Sequence, residues 1–181
     1  MKYKKLTGVI LKKQNYREAD QIVTLWTKQN GKIRVLAKGV RRPASKLNFC
    51  LANLGICEVE VAGNHNLPTL IGIKSIRQFS SLLDNLKKAA QGFYAAELML
   101  KMTADEHPND TVYELLVRTL NQIDSSEIIT NHTLVDDFAL KLTEALGFGT
   151  NKELSTHREV VDFLETILER ELKAQNFLMQ V

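Results

Sequence analysis

Cysteine is nearly absent from this chain of 181 residues, which carries only Cys50 and Cys57. Two cysteines cannot build a four-cysteine zinc site or a disulfide framework. Proline is limited to Pro43, Pro68 and Pro108, and tryptophan to Trp26. No apolar run approaches the roughly 18 residues of a membrane-spanning helix. The basic start, Met1 to Leu6, leads only into Val9-Ile10-Leu11, short of the about 7–15 apolar residues at the heart of a secretory signal. A cytoplasmic chain without membrane contact is the expectation.

Catalytic signatures are missing too. There is no Gly-x-x-x-x-Gly-Lys-Ser/Thr phosphate loop, no Gly-x-Gly-x-x-Gly fingerprint, no Gly-x-Ser-x-Gly elbow and no His-Glu-x-x-His helix. His132 and Asp136 stand four apart, as a metal pair on one helix face would, but no third ligand is local. A hydrogen bond or capping contact is the favoured reading of that pair. Glu18 and Asp20 lack the further acidic neighbour of a two-metal nuclease. No enzymatic activity, metal or cofactor is expected.

Charge is unevenly spread. Residues 1–80 hold 15 Lys/Arg against Glu18, Asp20, Glu58 and Glu60, a net +11, whereas residues 81–181 hold 9 Lys/Arg against 17 acids, a net −8. Such asymmetry suggests one part that meets a polyanion and another with a different task. Nucleic acid is the leading partner.

The basic part reads as strands. Gly8 to Leu11, Asp20 to Lys28, Lys32 to Gly39, Ile56 to Ala62 and Thr69 to Phe79 are rich in β-branched and aromatic residues. Asn30-Gly31 reads as a two-residue hairpin turn. That turn would pair Thr27 with Arg34 and Trp26 with Val35, placing Trp26 on an apolar face with Ile22, Thr24, Ile33, Val35 and Ala37. Core packing is therefore favoured over base stacking for Trp26. The opposite face would carry Lys32, Arg34 and Lys38, and Lys12, Arg41, Arg42 and Lys46 could extend it. Leu47 to Leu54 reads as a short helix or irregular bridge, and residues 63–68 as a turn-rich link. Three strands, a connector and two strands predict a five-stranded OB-type β-barrel, with an SH3-like barrel as competitor.

From Ser81 the apolar period changes to three and four residues. One long helix is expected to about Thr103, ended by the break at Pro108. Val112, Leu116, Leu120 and Ile123 stripe a second helix, and Leu134, Phe138, Leu142 and Ala145 a third. Thr156 and Glu159 fit a capping box before a fourth. The expected architecture is thus α+β in two domains: the barrel over 1–80 for nucleic acid, and an α-helical bundle over 81–181 for protein partners.

The blocks Gly8-Val9-Ile10-Leu11-Lys12, Tyr16-Arg17-Glu18-Ala19-Asp20, Ile22-Val23-Thr24-Leu25, residues 31–42 and Ser45-Lys46-Leu47 resemble the N-terminal domain of the bacterial RecO family of recombination mediators. Leu67 to Leu70, Ala145-Leu146-Gly147-Phe148 and Asn176-Phe177-Leu178 are similar to later family segments. The resemblance implies an OB-fold followed by a helical domain. It also implies binding of single- and double-stranded DNA, annealing of complementary strands, and help in loading RecA onto strands covered by single-strand-binding protein. RecR and the acidic C-terminal tail of single-strand-binding protein are the partners it implies. Many relatives carry two Cys-x-x-Cys pairs after the Leu-Gly-Phe/Tyr segment; residues 149–155 carry none, so the chain resembles a short form without the zinc module. A non-catalytic adaptor, or a barrel that binds RNA, is the alternative reading.

Overall fold

The computed structural model describes residues 3–45, 47–63, 67–127, 132–169 and 171–180. Lys46, the middle of the 63–68 link and Arg170 lie outside the described residues. The chain divides into two compact units, residues 1–78 with 104–109, and residues 79–103 with 110–181.

The first unit holds five strands: β1 (Tyr3–Tyr16), β2 (Asp20–Thr27), β3 (Gly31–Ala37), β4 (Ile56–Ala62) and β5 (Thr69–Arg77). Their ladders run β1-β2-β3-β5-β4 and close on β1. Four of the five ladders are antiparallel, and only β3 with β5 is parallel, at Leu36 and Thr69. A sheet closed on itself leaves no edge strand for stray pairing. Leu6, Ile10, Val23, Leu25, Val35, Val59, Val61 and Leu70 fill the interior, the inward positions that a two-residue period dictates. The connector from β3 to β4 contains one 3-10 turn at Asn48–Cys50. Cys57 is buried, and burial followed by the nearby Cys50 pushes its thiol up to about 12. It packs as a small apolar group rather than a reactive one.

The β2–β3 register departs from the sequence expectation. Thr24 faces Arg34, Trp26 faces Lys32 and Thr27 faces Gly31, three residues away from the pairing that a two-residue Asn30-Gly31 turn would set. The loop is longer because the Thr27 hydroxyl bridges it, accepting from Asn30 N at 3.1 Å and donating to Gly31 O at 2.9 Å. Gly31 then enters β3 with φ +67°. An odd shift exchanges the faces of one strand relative to the other. Trp26 is fully buried as expected, but it shares the outward side with Lys32 and Arg34 rather than joining Val23, Leu25, Val35 and Ala37 inside.

The second unit comprises α1 (Ser80–Asp84), α2 (Leu86–Met102), α3 (Asp110–Ser125), α4 (Thr133–Ala145), α5 (His157–Leu168) and a short α6 (Lys173–Leu178). The single long helix expected after Ser81 is two helices. Asn85 adopts an extended conformation between them, and its side chain accepts the Lys88 amide at 3.1 Å, a local bond that competes with helix continuation. The buried Lys88 ammonium donates to Ser81 Oγ at 2.8 Å and Asp124 O at 2.9 Å, tying α1 and α3 to α2. The capping box at the start of α5 forms as expected, with Thr156 Oγ1 accepting from Glu159 N and the Glu159 carboxylate accepting from Thr156 N.

Candidate nucleic-acid interface

The outward face of β1, β2 and β3 gathers cations by register. A bulge at Leu11 shifts β1 between Ile10 and Lys12, so that Lys12 pairs with Thr24, which pairs in turn with Arg34. Residues opposed across a ladder lie on the same face. Lys12 and Arg34, both exposed, therefore flank Thr24 in one row across three strands. The next outward row is Gln14, Ile22 and Leu36, with the two aliphatic side chains half-buried.

Beyond the ends of these strands the β1–β2 turn is fastened to the loop after β3. Asp20 Oδ1 accepts from Gly39 N at 2.7 Å, Ala19 O from Arg41 N at 3.0 Å, and Glu18 O from Arg41 Nη1 at 3.0 Å. Glu18 and Asp20 thus serve as acceptors that hold two loops together. Lys38, Arg41 and Arg42 are exposed on this rim. Arg42 N closes a tight turn onto Gly39 O at 3.1 Å.

Arg17 joins them, a residue that strand periodicity did not single out. It sits at the tip of the β1–β2 turn with φ +54°, and its guanidinium carbon lies 5.1 Å from the centre of the Tyr16 ring. The signal was present as a tyrosine–arginine pair in a turn between two strands.

Lys32 does not share this surface. It is only 8% exposed, and its ammonium lies 3.5 Å from Asp105 Oδ1. Residues 104–109 belong to the barrel unit: Glu106 N donates to Lys32 O at 2.9 Å, and Asp105 bridges Lys32 in parallel. A cavity of about 400 Å³ remains between this segment and β3, lined by Lys32, Ile33, Arg34 and Asp105 to His107. Of the sequence-predicted residues, Lys12, Arg34, Lys38, Arg41 and Arg42 are exposed, Lys32 is covered, and Lys46 lies outside the described residues.

In the helical unit His132 caps α4, its carbonyl accepting from Asp136 N at 2.9 Å as the capping reading expects, but the Asp136 side chain turns to another histidine. Its carboxylate accepts from His157 Nδ1 at 2.6 Å, while the His132 ring lies 4.3 Å from that of His157. No group of three or more His, Cys, Asp or Glu able to hold a metal occurs among the described residues. An open groove of about 610 Å³ on α3 and α4 is lined by Thr111, Glu114, Leu115, Arg118, Lys141, Glu144 and Ala145. No described helix is long and apolar enough to cross a membrane.

With this geometry in place, comparison with known proteins is decisive for family. The family model described as Recombination protein O N terminal matches residues 1–79, and that described as Recombination protein O C terminal matches residues 83–156. The chain belongs to the RecO family. It is 34% identical over 123 residues to the DNA repair protein RecO of Anaeromyxobacter sp. (strain K), covering 67% of this chain and 48% of that protein. Likeness to the DNA repair protein RecO of Lactobacillus helveticus (strain DPC 4571) is 31% over 153 residues, covering 83% of this chain and 59% of that one. A third, from Dehalococcoides mccartyi (strain ATCC BAA-2266 / KCTC 15142 / 195), is 31% identical over 147 residues, 80% of this chain and 56% of the relative. The chain spans about half the length of the curated relatives it matches.

Proposed function

We propose that this RecO-family chain acts in DNA repair and recombination by binding DNA through the backbone phosphates, without reading sequence. The observation that carries the proposal is the cationic surface on one side of the OB-type barrel: the Lys12–Thr24–Arg34 row, with Arg17, Lys38, Arg41 and Arg42 at the rim. Phosphate contacts fix affinity and strand path and carry no sequence information. Annealing of complementary strands follows from the same chemistry, because neutralising both backbones removes their mutual repulsion and leaves the bases free to pair. No catalytic residue is required.

The helical domain, read as a bundle, takes the protein partners: RecR and the acidic tail of single-strand-binding protein. Support for the tail comes from the α3–α4 groove, where Arg118 and Lys141 stand beside Leu115 and Ala145. Glu114 and Glu144 line the same groove and Lys141 pairs with Asp137, so the lining is charge-balanced, and a peptide carboxylate would have to meet Arg118 and Lys141 against them. Loading of RecA onto coated strands would combine the two domains' tasks.

The test is fluorescence anisotropy of labelled single-stranded and duplex DNA of unrelated sequences, titrated at several salt concentrations. Steep and sequence-independent loss of binding with salt is the expected result. Absence of binding at low salt would overturn the proposal and turn the basic domain toward a protein or RNA partner.

A further inference from the structure

The connector from β3 to β4 presents a large apolar side chain that the barrel's packing leaves almost wholly in water. Phe49 is 80% exposed, more than any other large hydrophobic residue among those described. Its neighbours behave oppositely. Leu51 and Leu54 are fully buried, and Leu47 packs against the barrel core.

The backbone beneath the ring is pinned. Cys50 N donates to Leu47 O and Leu51 N to Asn48 O, each at 3.2 Å, making the single 3-10 turn. Gln78 Nε2 donates to Phe49 O at 3.2 Å, and Lys13 Nζ reaches over to Leu51 O at 2.7 Å. A ring held on a fixed turn loses little freedom when something docks on it. Nearby, Ile76 protrudes from the bulge that shifts β5 between Ile56 and Cys57 of β4, and is 54% exposed.

Charge indicates the occupant. Residues 38–57 contain Lys38, Arg41, Arg42 and Lys46 and no acidic residue. The connector's own cations and this ring together suit a partner that combines negative charge with a flat apolar face, and a nucleotide with an unpaired base has both. Within a duplex the base faces are stacked on one another except at its two ends, so of the two DNA forms the single strand is the one that offers them along its length. We infer that Phe49 is a stacking surface for an unpaired base of single-stranded DNA, which gives the barrel a preference for single strands that phosphate contacts alone do not supply. This rests on the DNA-binding reading above.

The experiment compares the wild-type chain with Phe49→Ala and Phe49→Trp, using labelled oligo-dT and a duplex of equal length at fixed salt. Phe49→Ala is expected to weaken oligo-dT binding by about 5- to 100-fold and to leave duplex binding within about twofold of wild type. Phe49→Trp is expected to bind oligo-dT at least as well as wild type, and its added indole emission to be quenched as the oligonucleotide saturates. Buried Trp26, present in the wild-type chain too, supplies the background. Unchanged oligo-dT affinity in Phe49→Ala, equal losses on both DNA forms, or unquenched Phe49→Trp emission would each overturn the inference. If the wild-type chain binds neither DNA at low salt, the DNA-binding reading fails and takes this inference with it. Wild-type binding with an indifferent Phe49 removes the stacking surface alone.

Discussion

His157 Nδ1 lies 2.6 Å from Asp136 Oδ1, joining the first turn of α5 to the first turn of α4. His157 Nε2, His132 Nδ1 and Tyr94 Oη are buried with no hydrogen-bond partner among the described residues. Burial first, and the adjoining His157 second, hold the His132 imidazolium below the ordinary histidine range, with Asp136 opposing them. The folded state therefore binds fewer protons than the unfolded chain in this window, and stability rises with pH. Acidification from about pH 7 through the unfolded histidine value of about 6.5 is expected to lower the melting temperature. His132→Asn should flatten that fall between pH 7.5 and 5.5, followed by circular dichroism. An identical pH slope in the variant would assign the acid sensitivity elsewhere.

Arg34 and Lys32 are two residues apart on β3, yet only one of them stands free to meet solvent. Arg34→Ala is expected to reduce the slope of log affinity against log salt by about 0.7–0.9, the share of one phosphate contact. Lys32→Ala should leave that slope unchanged, because its charge is covered and faces Asp105. Equal effects of the two variants on the salt slope would contradict the assignment of the surface.

Arg41→Ala with Arg42→Ala should weaken DNA binding and reduce the salt slope by up to about 1.4–1.8, as two lost phosphate contacts would. Arg41 also fastens the β1–β2 turn through Glu18 O, so Arg17 loses part of its support. Retention of wild-type affinity and slope would remove the rim from the interface.

Gly31→Ala tests the cover on β3. A Cβ there would lie 2.4 Å from His107 O, on a residue whose φ is +67°. Both the contact and the left-handed backbone oppose a side chain, and a loss of at least about 1–2 kcal/mol is expected in urea unfolding. Wild-type stability would show that residues 104–109 do not lie against this turn in solution.

Thr156→Ala should cost about 1 kcal/mol by removing the acceptor for the Glu159 amide. The Glu159 carboxyl is held below its ordinary range by the Ser155 amide first and Thr156 next. That contribution is present above the ordinary carboxylate range and is lost as pH falls through the lowered value. A melt indistinguishable from wild type at neutral pH would discount the cap.

Much of this was legible in the sequence, and the exceptions have identifiable causes. Strand and helix order followed from side-chain period, and the rim of Lys38, Arg41 and Arg42 from local charge density. The β2–β3 register did not, because the Thr27 hydroxyl lengthens a turn that Asn30-Gly31 alone would make short. Lys32 was misplaced for a different reason: the residues that cover it come from more than seventy positions away, and no local pattern encodes that. The break at Asn85 was hidden by apolar spacing that continues through it, although asparagine is a favoured first cap. Phe49 and Arg17 stand outside any period, and only their exposure and contacts mark them.

The short return of residues 104–109 to the barrel unit has a consequence for any attempt to dissect the chain. The polypeptide crosses between the units three times, so no single cut separates them cleanly. A fragment ending at residue 80 would lack the counter-ion of Lys32 and the stretch beside Gly31. Its surface would gain a cation that the intact protein keeps to itself. The DNA affinity of such a fragment would then overstate what the intact chain achieves, and a charge inventory drawn from it would carry one ammonium too many.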